Sequence, residues 1–506
     1  MRRVRVWVRV WGLIAVVLLA GASAQAAGTL RVGMQDDPDA LDPALGGTFA
    51  GRIVFASLCD KLIDLDDKLQ FVPQLATAWS WSADGRTLTL TLRNDVTFQD
   101  GEKFDAEAVK ANIERYRSAP YSVRRSELKP VTAVEVVDPL TVRLMLSQPY
   151  APLIAVLSDR SGMMAAPKVL ERLGKDFFTH PVCAGPFSFQ ERVPQDHITL
   201  QRFPGYWNAG AIHVDRIEFH PIPDSTVRLV SAQAGRLDMI EEIAPTDALK
   251  VQQDPRLQLM KTTALGYEGM MINLGNGTGA NADLARDPRV REAFEAAIDR
   301  NVINQVAAAG LFVPDNQSEL PTSRYFNQQL PFPPRDVAKA KALLQQAGVA
   351  HLTIELRTLN TPLDRQIGEI IQSMAAEAGI TVKLQAGETI TNITAMQHGE
   401  FQTALTIWSG RSDPDFNITQ YLSCDGFQNW TKYCNPTFQT LLEKARAVTD
   451  LTQREALYHQ VAAIYVADRP MLFLMHMTWL YAVSKHLSGF TPVPDGLIRP
   501  QGLMLQ

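Results

Sequence analysis

The chain has 506 residues, 49 Lys+Arg against 54 Asp+Glu for a formal charge of −5, and 46% hydrophobic with 20% charged residues. That balance describes a globular protein with ample core and excludes a disordered chain or a basic surface built for nucleic acid or anionic membrane. The length implies two or more domains.

The N-terminus carries Arg2, Arg3, Arg5 and Arg9, an apolar run from Val10 to Ala20, and a small-residue stretch ending Ala24-Gln25-Ala26, the three-part pattern of a cleavable secretory signal over residues 1–26. Eleven apolar residues fall short of the ~30 Å hydrocarbon layer, so the run is not a permanent span. A lipoprotein would need cysteine near the end of the run, where Ala22 stands, so a periplasmic protein without a lipid anchor is expected. Removing the four N-terminal arginines takes Lys+Arg from 49 to 45 against 54 acids, a charge near −9.

Thr29 to Met34 reads as a first strand, followed by a Pro- and Asp-rich loop to Pro43. Trp79, the Asp84-Gly85 turn and the alternating Thr87 to Leu92 predict a hairpin with one buried face, and Asp105 is placed to cap a helix. Strands follow at Val131 to Val137 and Thr141 to Leu146, so the first 270 residues read as rich in strands and turns. Asp287-Pro288 then opens a helix with apolar residues at helical spacing. Beyond it a helix over 336–347, a strand over 352–356, a helix over 365–378, and strands over 380–384 and 403–408 alternate. The last strand runs into Ser409-Gly410-Arg411-Ser412-Asp413, and in an α/β sheet ligands sit beyond the carboxyl ends of strands.

The four cysteines of an exported chain favour disulfides over metal ligation. Cys424 with Cys434 is the primary pair; Cys59 with Cys183 follows by elimination, with buried free thiols as the competing reading. G-x-S-x-G, Walker and H-E-x-x-H motifs are missing, and the nine histidines lack ligand spacing, so no catalytic residue, cofactor or metal site is expected. Gly275 to Gly279 has the wrong spacing for a nucleotide loop and reads as a turn. Asp413 and Asp415 can be drawn as paired carboxylates, but Pro414 between them points to a structural role.

Trp79, Asp84-Gly85, Leu92-Arg93, Val96, Phe98, Asp100-Gly101, Phe104 and Ala106 together resemble the signature of family 5 extracytoplasmic solute-binding proteins, the peptide- and nickel-type receptors of ABC importers. The resemblance continues in order through Cys183 to Phe187, Tyr206-Trp207, Ile222-Pro223-Asp224, Gly235 to Asp238, Arg289 to Arg291, Ala297 to Arg300, Ala340 to Leu344 and Trp408 to Asp415. It implies an α/β, two-lobed periplasmic-binding-protein clamp of type II. Lobe I would comprise 27–65, 182–272 and 486–506, with an extra subdomain over 66–181; lobe II would comprise 273–485. A monomer that hands a small-molecule ligand to an inner-membrane ABC permease is implied, with closure as a hinge motion.

In peptide-binding relatives the position three after the matching Trp is acidic and holds the ligand's ammonium group; here it is Arg411. A guanidinium would repel an ammonium and grip a carboxylate with two hydrogen bonds, so Arg411 is expected to bind an anion. Ser409, Gly410 and Asp413 share its loop. Trp408 would stack on or wall off the ligand. Arg160 and the Arg124-Arg125 pair, of which Arg125 is put forward, are candidates for further anion contacts, against a reading as ordinary surface ion pairs, and Asn273 for a polar contact at the crossing between lobes. The expected function is capture of a small carboxylate-bearing solute, such as a short peptide; an exported peptide- or amide-processing enzyme and a ligand-reporting partner of a chemotaxis or sensor protein are the alternatives.

Overall fold

A computed structural model describes residues 28–506; the leader expected over 1–26 lies outside the described residues. The chain is a two-lobed α/β clamp organised on one eleven-stranded sheet. At one end of the sheet the strand Thr29–Met34 runs parallel to Arg216–Pro221 and Met239–Ile240, with His197–Arg202 and Phe187–Val193 beyond. At the other end Leu352–Leu359 runs parallel to Ile380–Gly387 and Thr403–Trp408. Two long antiparallel strands, Leu257–Ile272 and Met471–Ser484, pass through both ends and join them. Between Thr263 and Tyr267 their register shifts, partway between the two ends of the sheet.

The predicted elements follow from local chemistry. Asp105 caps Ala106–Ser118 through Ala108 N at 3.0 Å, and Asp287 caps Pro288–Ala296 with Pro288 in the first turn. The helix expected from Arg365 begins earlier, at Pro362, because the Thr361 hydroxyl accepts from Asp364 N at 3.1 Å and proline suits the first helical position. The strands expected over 352–356 and 380–384 extend to Leu359 and Gly387, paired residue for residue throughout. The first part is also more than strands: Ser225–Gln233 joins Arg216–Pro221 to Met239–Ile240 as a parallel crossover, which alternation alone did not reveal.

A separate four-stranded sheet, in the order Ala76–Trp81, Thr87–Leu92, Thr141–Leu146 and Val131–Asp138, packs under helix Ala106–Ser118. Both disulfides form, Cys59–Cys183 with Cα atoms 4.9 Å apart and Cys424–Cys434 at 4.6 Å, so the free-thiol reading of the first pair is discarded. The C-terminal segment packs against the two joining strands, where Pro494 O accepts from Leu265 N and Trp479 Nε1, each at 3.0 Å.

Candidate functional site

The strand Thr403–Trp408 lies beside Tyr267–Ile272, with Trp408 opposite Tyr267, next to the register shift of the two joining strands. The loop after it presses flat on that shift. A Cβ on Gly266 would stand 1.7 Å from Trp408 O, and one on Gly410 would stand 2.3 Å from Leu265 C. Gly410 also has φ +80°, so two independent constraints require glycine there, and together they direct Arg411 into the space between the lobes.

Asn417 holds the loop in shape. Its Oδ1 accepts from Trp408 Nε1 at 3.0 Å and Arg411 N at 2.8 Å, while its Nδ2 donates to Arg411 O at 3.1 Å and Glu319 Oε1 at 2.7 Å. Burial pushes the Glu319 carboxyl up to about 8, with the Asn417 bond opposing the rise. Between its ordinary pKa and about 8, the unfolded chain has released this proton while the folded chain keeps it, so its contribution to stability falls as pH rises through that window. Glu319→Gln, which preserves the acceptor for Asn417, should therefore gain stability over the parent more at pH 8 than at pH 5. Urea unfolding at the two pH values checks this; an equal difference at both would refute it.

Arg411 makes a cross-lobe contact. Its Nε lies 2.5 Å from Asp159 Oδ2, its NH1 donates to Gly410 O at 2.7 Å, and its guanidinium stands 4.6 Å over the Trp408 ring. Asp159 Oδ1 also receives Arg52 Nε at 3.3 Å and Arg160 N at 2.8 Å, and Arg52 NH1 reaches Ser409 Oγ at 3.1 Å. Arg160 NH1 donates to Gly46 O at 2.9 Å, and Arg124 NH2 to the same oxygen at 3.3 Å. Arg124 pairs with Glu127 at 2.7 Å, and Ser161 Oγ donates to the other Glu127 oxygen at 2.6 Å.

Four guanidiniums, none more than 9% exposed, thus face two carboxylates, Asp159 and Glu127. Burial penalises the Asp159 charge, but Arg411, Arg52 and Arg160 outweigh it and hold this carboxyl well below the usual range. Burial, then Arg52, lowers Arg411 to about 10; burial, then Arg124, lowers Arg160. Arg124 Nε and Arg160 Nε have no hydrogen-bond partner, Arg160 Nε standing 3.7 Å from Asp159 Oδ1. Four guanidiniums against two carboxylates leave an excess of two positive charges in a dry setting, a costly arrangement that a negative charge would offset. Beside Glu127 a cavity of about 360 Å³ opens between Pro130 and Tyr150 on one side and Phe416, Thr419 and Arg446 on the other.

Arg411, Ser409, Gly410, Trp408 and Arg160 come together here; the remaining candidates do not. Arg125 is exposed and donates to Ser122 O at 3.2 Å, because neighbouring residues of the turn face opposite ways and Arg124 takes the inward position. Asp413 binds Arg454 with both oxygens, at 2.8 and 2.7 Å, and Asp415 pairs with Arg446 at 2.7 Å, so this acidic pair braces the loop. Asn273 bonds the backbone of Asn276 and Phe401. It sits past the opposite end of the strand pair from Trp408, ~15–20 Å away at the usual strand rise.

Arg52, Asp159, Glu127 and Asn417 were not singled out in the sequence. Arg52 alone left a trace, as the single charge in the otherwise apolar or small-residue helix Phe49–Leu58.

The model of "Bacterial extracellular solute-binding proteins, family 5 Middle" matches residues 70–429. The glutathione-binding protein GsiB of Salmonella paratyphi A is 29% identical over 97% of the chain and 96% of its own length. Among solved structures, AgaA of A. tumefacien R10, in complex with agropinic acid, superposes with TM-score 0.86 at 25% identity, covering 95% of this chain and 99% of its own. The periplasmic binding protein DppA of Helicobacter pylori, in complex with the peptide STSA, has the same TM-score at 24% identity and the same coverage.

Proposed function

The chain belongs to the family 5 bacterial extracellular solute-binding proteins, and from that premise we propose that it captures a small carboxylate-bearing solute between its lobes and delivers it to a membrane ABC permease. The observation that carries the ligand class is the excess of buried guanidiniums at Arg52, Arg124, Arg160 and Arg411. In this reading lobe I comprises 27–65, 182–272 and 486–506 with a subdomain over 66–181, and lobe II comprises 273–485. The receptor works in the periplasm as a monomer. No helix among the described residues is long and apolar enough to cross a membrane.

Glutathione, with two carboxylates and one ammonium group, is the first solute to test, because a relative named for binding it aligns over nearly the whole chain. Calorimetric titration should give saturable binding for glutathione or another small carboxylate and much weaker binding for the same solute with its carboxylates amidated. Equal binding of the free and the amidated forms would sink the proposal. Mass spectrometry of the molecule that co-purifies with the protein then identifies the natural solute.

Asp159 occupies the arginines that the ligand anion would use. Asp159→Asn should lower the stability of the unliganded protein, since it leaves buried charge uncompensated, and tighten anion binding about tenfold or more. Paired thermal melts and titrations read both effects; weaker anion binding in the variant would overturn this role.

A further inference from the structure

The space between the lobes carries the opposite charge at another place. Asp364 lies in the first turn of Pro362–Glu377 and is 2% exposed. One carboxylate oxygen accepts from the Thr361 hydroxyl, and Oδ1 has no partner. Asp364 lines a cavity of about 60 Å³ with Gln35, Glu242, Pro245, Ile407 and Trp479. Glu268, opposite Ile407 in the sheet register, is fully buried and both its carboxylate oxygens lack a partner.

From the first lobe, Glu241 Oε1 accepts from Gln35 N at 2.6 Å while Oε2 is unpartnered. Of the two arginines nearby, Arg365 is exposed and lines an adjoining cavity, while Arg228 commits NH1 to Ile222 O and Pro223 O and NH2 to Glu242 O, at 2.6, 3.0 and 2.6 Å. Carboxylates therefore outnumber cations here, as guanidiniums outnumber carboxylates around Arg411. The two regions lie either side of one aromatic pair. Trp479 walls the cavity, Phe49 stacks on it at 4.7 Å, and the Arg52 guanidinium stands 5.9 Å from the Phe49 ring.

We propose that the cavity at Asp364, backed by Glu268 and walled by Trp479, is an ammonium subsite that takes the cationic end of the solute. A free carboxylate oxygen is an acceptor only, and an indole face attracts a cation. The volume corresponds to about two water molecules at ~30 Å³ each, enough for a primary ammonium and its first methylene. No group of three or more His, Cys, Asp or Glu among the described residues is placed to hold a metal ion, which favours an organic cation. Burial holds the Asp364, Glu268 and Glu242 carboxyls above their usual range, so entry of an ammonium displaces protons. The solute is then an extended zwitterion, carboxylate toward Arg411 and ammonium toward Asp364; its anionic end rests on the function proposed above, and its cationic end does not.

The test titrates the full chain at pH 8 and fixed ionic strength with n-propylammonium chloride, sodium propionate and a series of ω-amino carboxylates of increasing length. Saturable propylammonium binding with proton release is expected in the parent, weakened at least tenfold in Asp364→Asn and retained in Arg411→Ala, which loses propionate. One length of ω-amino carboxylate should bind more tightly than either half, identifying the ammonium as part of a longer solute; a free amine that binds as well as every member of the series overturns the zwitterion. No propylammonium binding in the parent, or equal binding in Asp364→Asn, overturns the subsite and assigns charge compensation to protons. Propylammonium binding without propionate binding upholds the subsite and refutes the anion site instead.

Discussion

Arg411→Ala should weaken binding of the anionic solute thirtyfold or more. Truncating one member of a desolvated, hydrogen-bonded charge pair costs about 2–5 kcal/mol, much of it because the partner charge stays buried without compensation. Arg411 is buried, reaches across the lobes to Asp159, and is braced by Gly410 O and the Trp408 ring, so its guanidinium meets a ligand already oriented. Asp159 keeps Arg52 and Arg160 when Arg411 is truncated, so the variant should still fold. Arg411→Lys retains the charge but loses the planar fork and should recover only part of the affinity. Titration calorimetry on the three proteins decides the matter; a dissociation constant unchanged by Arg411→Ala would remove this residue from the site.

The largest stability effect should come from the longer disulfide. Cys59–Cys183 closes a loop with a sequence separation of 124, against 10 for Cys424–Cys434. On the chain-entropy estimate the first contributes about 5 kcal/mol and the second about 3 kcal/mol. Cys59 follows helix Phe49–Leu58, which carries Arg52, and both Cys59 and Cys183 are buried. The Cys59→Ala/Cys183→Ala double variant should therefore lose more in denaturant unfolding than Cys424→Ala/Cys434→Ala, and its ligand affinity should suffer through Arg52. The reverse order of stabilities would show that loop closure is not what these bridges supply.

The arginine and acidic regions share one physical theme. Charge buried between two lobes without a protein counter-charge is costly in a closed clamp, and a ligand of matching sign offsets that cost on binding. Under the proposed function, binding and closure would be coupled through the same groups, since the Arg411–Asp159 pair bridges the two sides of the site. A two-ended solute would select the closed form more strongly than either of its ends alone.

Local elements were legible because their signals are local. Asp105 and Asp287 as caps, Pro288 in a first turn, the alternation of Thr87 to Leu92 and the strand ending at Trp408 each depend on residues a few positions apart. Arg411 emerged from one substituted charge in an otherwise familiar loop. Asp159 and Arg52 could not emerge that way, because they meet Arg411 across sequence separations of hundreds of residues. The adjacent Arg124 and Arg125 carry no sign in the sequence of which faces inward; the fold buries Arg124 and leaves Arg125 exposed. Asn273 was placed near the site from its position at a crossing, but strand length carries it to the far end.

By itself, then, the amino-acid sequence determined most of the segments, the Cys424–Cys434 pair, the family resemblance and the sign of charge at position 411, all of which reside in short-range pattern or ordered motifs. Tertiary structure decided which arginines share a carboxylate, that Asp413 is committed to Arg454, and that Asp364 and Glu268 are left without partners. The reason is that an ion pair's net charge and a carboxylate's lack of a partner depend on what the fold brings within a few ångströms, and no local spacing encodes that distance.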